Sequence, residues 1–164
     1  MPEGYPKNQL EIELKKATSS LGILPENLII FKYTVRKLNY VRQEILEELI
    51  KIRNERKVDM VFMPVLDDIH QDHSTVAAEG LRAFKNASIL GYELMWNNIE
   101  FRTNAFISVD EENIQAKVDA LQLYESQRHR RYMSAEFIKS LAVVRGVQCG
   151  KAYAEAFEII RWIV

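Results

Sequence analysis

The stretch DDIHQDH, residues 67–73, sets three aspartates and two of the chain's three histidines into seven positions. His70 and His73 are three residues apart, so a helical first turn would present both rings on one side. Neutral imidazole is a good zinc donor, and an aspartate on the other ring nitrogen fixes its tautomer. A catalytic zinc typically takes three protein ligands, and Asp67 or Asp68 is the local candidate for the third. The reading without chemistry is a polar loop, capped by aspartate, whose histidines sit in solvent. Spacing alone leaves both readings open.

The surrounding elements must deliver this motif to a useful place. Asp59 to Pro64 (DMVFMP) reads as a short buried parallel strand that runs directly into it. A helix follows, with Val76, Ala77, Leu81 and Phe84 on one face. The motif thus lies at the carboxyl end of a strand and the start of a helix. Open α/β sheets place their ligands there, and the helix dipole favours a developing oxyanion.

The rest of the chain alternates helical and strand-like segments, the pattern of an α/β domain. Leu10, Leu14, Ala17 and Leu21 recur at helical spacing, with Gly22 where a helix would stop. Leu28 to Tyr33 (LIIFKY) reads as a strand. Asn39 is placed to cap a helix bearing Val41, Ile45, Leu49 and Ile52. Ile89–Trp96 and Asn104–Val109 read as strands. Asp110 and Ser134 precede the periodic sets Ile114, Val118, Leu121 and Phe137, Ile138, Leu141, with Gly146 expected just past the latter helix. The tail AYAEAFEIIRWIV leans to strand for its Ile, Phe and Trp content.

Composition bounds the classes of function. A chain of 164 residues is one ordinary domain, so residues 1–164 are read as a single unit. The net charge of −1 gives no global field for nucleic acid or anionic lipid. No apolar run has the length to span a bilayer, and the first residues contain no signal-like core. The single cysteine, Cys149, cannot form an internal disulfide, which agrees with a reducing, cytoplasmic setting. It is read as an inert thiol. Arg128, His129, Arg130 and Arg131 read as a solvated loop rather than an anion site. Trp96 and Trp162 read as core or interface aromatics, with sugar stacking as the alternative for an exposed Trp96.

The flanking residues add a resemblance. PVLDDIHQDHSTVAAEGLRAF, then ILGYELMW, TNAFISV, ALQLYESQ and RGVQCGKAYAEAFEIIR, resemble the LmbE/PIG-L family of N-deacetylases in consistent order. That resemblance implies a Rossmann-like three-layer α/β fold and hydrolysis of an N-acetylated amino sugar, such as a GlcNAc derivative, with Zn2+ as cofactor. It implies that His73 is a zinc ligand and that His70 polarises the substrate carbonyl. Asp72 is implied to orient and tune His70, and Asp68 to fix the loop behind the ligands. Tyr153 and Glu155, in the C-terminal signature, would border the site.

The departure is equally specific. The family's A-H-P-D-D-E motif, which supplies the other two zinc ligands and the general base, does not occur in this sequence. The expectation is a family fold truncated at its N-terminus, without its first two strands and first helix. Such a chain is inactive alone and takes the HPDD half from a longer reading frame or a companion polypeptide. Open sheet edges would favour a homo-oligomer. The rival expectation is a non-catalytic descendant serving as a binding or assembly module. A weaker third is a rearranged metal site built from His70, His73 and an aspartate.

Overall fold

A computed structural model describes residues 5–164. In chain order the helices and strands are α1 (Gln9–Ser20), α2 (Arg42–Glu55), β1 (Met60–Pro64), α3 (Gln71–Ala83), β2 (Ser88–Tyr92), β3 (Ala105–Val109), α4 (Glu111–Gln122), α5 (Ala135–Cys149) and β4 (Tyr153–Arg161). The strands form one mixed sheet in the order β1-β2-β4-β3. This is the expected α/β class. The contacts of the described residues fall into two compact units, residues 5–31 with 108–155, and residues 32–107 with 156–164.

The second unit carries the motif. β1 pairs with β2 in parallel, from Met60 opposite Ser88 to Pro64 opposite Tyr92. β2 pairs with β4 antiparallel, with a register irregularity between Ile89 and Leu90. Leu46 of α2, Met63 of β1, Ala77 and Ala83 of α3, Phe84 and Ile89 form its core. β1 is an edge strand rather than a buried one: Met63 is buried, whereas Met60 and Phe62 are 41% and 49% exposed. Glu79, fully buried on α3, accepts from Arg42 Nε at 2.6 Å and from Arg82 Nη1 at 2.5 Å. Those two guanidiniums neutralise a charge that would otherwise be costly to bury.

The first unit packs Ile114 and Val118 of α4 against Ile138 and Ala142 of α5. The helix starts read at Asp110 and Ser134 both form. Asp110 makes a capping box with Asn113, and Ser134 accepts from the Phe137 N–H. A second buried acid, Glu13 on α1, accepts from Ser126 N (2.9 Å), Ser126 Oγ (2.7 Å) and Gln9 Nε2 (2.8 Å). Burial alone would raise its pKa, but these donors outweigh it and hold the carboxyl below its ordinary value.

Several local expectations change. Leu28–Tyr33 forms no strand and follows a 3-10 turn at Pro25–Asn27, because strand propensity without a neighbouring strand leaves backbone groups unpaired. Asn39 lies inside a 3-10 turn, Leu38–Tyr40, and Val41 occupies the cap of α2. Gly146 is not past the end of α5 but within it. A Cβ there would lie 2.6 Å from the Lys151 carbonyl oxygen, so glycine allows the returning chain to close on the helix. Gly150, at φ 71°, is the left-handed C-cap. Trp96 and Trp162 are not core residues, being 74% and 56% exposed.

Candidate functional site

The candidate site grows from the end of β1. After Pro64 the chain makes a short loop, and His70 becomes the N-cap of α3. An imidazole is an unusual cap, yet Nδ1 of His70 accepts from the Asp72 N–H at 3.2 Å, as a serine or aspartate oxygen would. With Nδ1 accepting, the neutral ring carries its proton on Nε2. His70 therefore offers an N–H donor at its outer nitrogen.

Asp68 is 4% exposed and fixes both histidines. One oxygen accepts from the His70 backbone N–H at 2.8 Å, and the other lies 2.9 Å from His73 Nδ1. Asn97 Nδ2 also approaches His73 Nδ1, at 3.2 Å. One ring nitrogen cannot serve both, and leaving a buried carboxylate short of a donor costs more than losing an amide contact. His73 thus donates Nδ1–H to Asp68 and keeps the Nε2 lone pair free, the geometry of a carboxylate-oriented metal-binding histidine. The two rings stack with centroids 4.5 Å apart and planes 25° from parallel. The helical spacing therefore brings them together as expected.

Asp72 is 7% exposed, and its carboxylate engages backbone amides of another segment. It accepts from the backbone N–H of Arg36 at 2.6 Å and of Leu38 at 3.3 Å. What touches His70 is Asp72's own backbone N–H. Asp67 is exposed. Tyr92, at the end of β2, has its hydroxyl pKa pushed up by burial and then by the charge of Asp68.

The described residues contain no group of three or more His, Cys, Asp or Glu placed to hold a metal ion. The reason is in the donors: Asp68 is committed to a ring and an amide, and Asp72 to two amides. The rearranged site of His70, His73 and an aspartate does not form. The donor set offers a properly oriented imidazole but does not by itself fit a three-ligand zinc.

Tyr153 and Glu155 lie in the first unit. Glu155 pairs with Lys117, and Tyr153 packs against the α4/α5 core. Arg128 caps the Gln122 carbonyl, while Arg130 bonds Gln127 and Tyr132, so this loop binds its own neighbours. Cys149 is partly buried against the Arg145 and Gly146 carbonyls. Sequence reasoning missed Asn97, the Arg36 and Leu38 amides, Glu13 and Glu79.

Residues 7–84, from α1 through the motif and α3, match the family model for PIG-L, the GlcNAc-PI de-N-acetylases. N,N'-diacetylchitobiose deacetylase from Pyrococcus horikoshii, solved with its inhibitor MPG, superposes with TM-score 0.73 at 19% identity, covering 93% of this chain and 63% of its own. The conserved protein TT1542 from Thermus thermophilus gives TM-score 0.72 at 19% identity, covering 100% of this chain and 78% of its own. The zinc-inhibited form of teicoplanin deacetylase Orf2 gives 0.68 at 18%, covering 91% and 72%. The fold is that of the LmbE-like deacetylases. The chain spans 63% of the length of the chitobiose deacetylase. Among the described residues no helix is long and apolar enough to cross a membrane.

Proposed function

We propose that this chain is a LmbE/PIG-L-type N-deacetylase polypeptide contributing the carbonyl-polarising part of a site for an N-acetylated amino sugar. The observation that carries the reading is the capping bond from Asp72 N–H to His70 Nδ1, which leaves Nε2–H as a fixed donor. That N–H is suited to the acetamide oxygen as negative charge gathers there during attack by water. The N-terminal dipole of α3 adds to the same stabilisation. Removing one such donor costs about 10²–10³ in rate in related chemistry.

His73 is proposed as one imidazole donor to a zinc ion whose other ligands, with the general base, come from an HPDD-bearing segment of a longer product or a companion polypeptide. The chain alone is then inactive. Exposed Trp96, next to Asn97, is proposed to stack on the sugar ring. The setting is cytoplasmic, and exposed Met60 and Phe62 on edge strand β1 favour a homo-oligomer. A single monomeric species by light scattering at micromolar concentration would remove that last part.

The absence of a three-ligand cluster among the described residues favours the second reading, a non-catalytic family descendant that binds without turnover. Zinc content and acetate release from an N-acetylglucosamine derivative separate the two. The enzyme reading expects turnover once a polypeptide bearing HPDD is supplied, abolished by His70→Ala, and zinc uptake lost in His73→Ala. No zinc and no acetate, even with that segment present, leaves the binding-module reading.

A further inference from the structure

Asp72 makes two unrelated sets of bonds. Its backbone N–H engages the His70 ring, and its buried carboxylate engages the amides of Arg36 and Leu38. Those amides belong to a tight turn closed by Lys37 N–H to the Thr34 carbonyl at 3.1 Å. Arg36 sits in the left-handed region at φ 65°, the one non-glycine residue with positive φ among the described residues. That conformation is unfavourable for a residue with a Cβ and persists where surrounding structure enforces it. A desolvated carboxylate accepting two amides is such an enforcer, since charge-assisted bonds are the stronger kind.

The clasp also places something useful. The clasped segment lines an open cavity of ≈ 520 Å³ with Lys32, Tyr33, Thr34, Lys37, Tyr40 and Val41. Its lining holds two lysines and three hydroxyl-bearing residues and no acidic residue. Such a lining suits the ring oxygens of a polyhydroxylated ligand.

We propose that Asp72 is a positioning residue with two separate outputs: its backbone sets the His70 ring, and its carboxylate holds the Thr34–Leu38 turn as a sugar-recognising wall beside it. The term sugar rests on the deacetylase reading, whereas the two outputs do not. The carboxylate is then dispensable for the His70 tautomer and indispensable for the turn.

Isotope-labelled full-length chain tests this by NMR, with no need for turnover. In the wild type, the Arg36 and Leu38 amides are expected to exchange at least tenfold more slowly than that of Val35. The His70 ring nitrogens should report the Nε2–H tautomer. Asp72→Asn keeps the backbone N–H, so it should lose that tenfold protection while His70 keeps its tautomer. Adding Arg36→Gly, which removes the left-handed penalty, should restore Leu38 protection at least threefold. N-acetylglucosamine, as the probe, should shift amides of residues 32–40 in the wild type and not in Asp72→Asn.

A His70 tautomer switch in Asp72→Asn with the turn still protected overturns the proposal, as does failure of the glycine rescue. Probe-induced shifts confined elsewhere overturn the wall. Should Asp72→Asn not fold, couplings across the hydrogen bonds from the Arg36 and Leu38 nitrogens to the Asp72 carboxyl carbon decide in the wild type, and their absence overturns it. Intact clasp readouts with no acetate release, even when the HPDD-bearing segment is supplied, would refute the deacetylase reading alone.

Discussion

The two ends of α3 bury acids in opposite ways. Near its C-terminal end Glu79 is closed between Arg42 and Arg82, whose charges do not depend on any accessible pH. At its N-terminal end Asp68 and Asp72 are satisfied by backbone amides and an imidazole. The first arrangement spends every donor on cohesion. The second uses Asp68 to orient the His73 ring and Asp72 to hold the Arg36 and Leu38 amides. One helix and the loop before it thus carry a carboxylate closed in by guanidiniums and two that position a ring and a turn, and the partners rather than the burial tell them apart.

The strongest way to break this contrast is to remove the Glu79 carboxylate. Glu79→Ala leaves two guanidiniums without their buried partner, and losing one member of such a pair costs about 3–5 kcal/mol. Urea unfolding followed by fluorescence of Trp96 is expected to show that loss, with the His70 and His73 ring signals unchanged in the population that remains folded. A cost below about 1 kcal/mol would place Glu79 with ordinary surface ion pairs and dissolve the contrast.

Asp68→Asn is the matching change at the other end, with a smaller expected cost of about 2–3 kcal/mol for two charge-assisted hydrogen bonds. Its signature is elsewhere. His73 should lose its fixed tautomer, visible in ring nitrogen shifts, because an amide can present either a donor or an acceptor to Nδ1. A His73 ring that keeps its Nδ1–H form would show that Asn97 or the stacking on His70 sets it instead.

What the sequence disclosed follows the same division between local and distant causes. The caps Asp110 and Ser134, the stop at Gly22 and the His70/His73 pairing each depend on residues within a turn of one another, and all were legible. LIIFKY has the composition of a strand, but a strand exists only with a neighbour, and sequence does not say whether one is there. Gly146 looked like a helix end because the close return of Lys151 that demands glycine is invisible in local pattern. Asn97 reaches His73 from 24 residues away, and the Arg36 amide reaches Asp72 from 36. Such contacts need backbone groups or isolated polar residues that carry no spacing signal. The resemblance supplied the order of the motif and the names of its roles. It did not tell which atoms of Asp72 touch His70.

Glu13 sharpens the comparison from the first unit, because its carboxylate is hydrogen-bonded by neutral groups, Gln9 and Ser126, rather than by a guanidinium. Those bonds favour the ionised form. Its pKa lies below the ordinary 4.5, so its stabilisation is fully present above that pH and fades as pH falls through the folded value. Glu13→Gln places an NH2 among donors and is expected to cost about 1–2 kcal/mol at neutral pH. Acidification removes the wild type's advantage, so the gap between the two proteins should shrink as pH falls below the ordinary carboxyl value and through the lowered one. Tyr124 provides a second readout, since burial and the Glu13 charge together push its hydroxyl pKa up. In Glu13→Gln the electrostatic share vanishes, and an absorbance titration of Tyr124 should move toward the ordinary phenol range. A gap that stayed constant with pH would mean that Glu13 stabilises by shape alone, and that its neutral donors do not make this buried acid sensitive to protons.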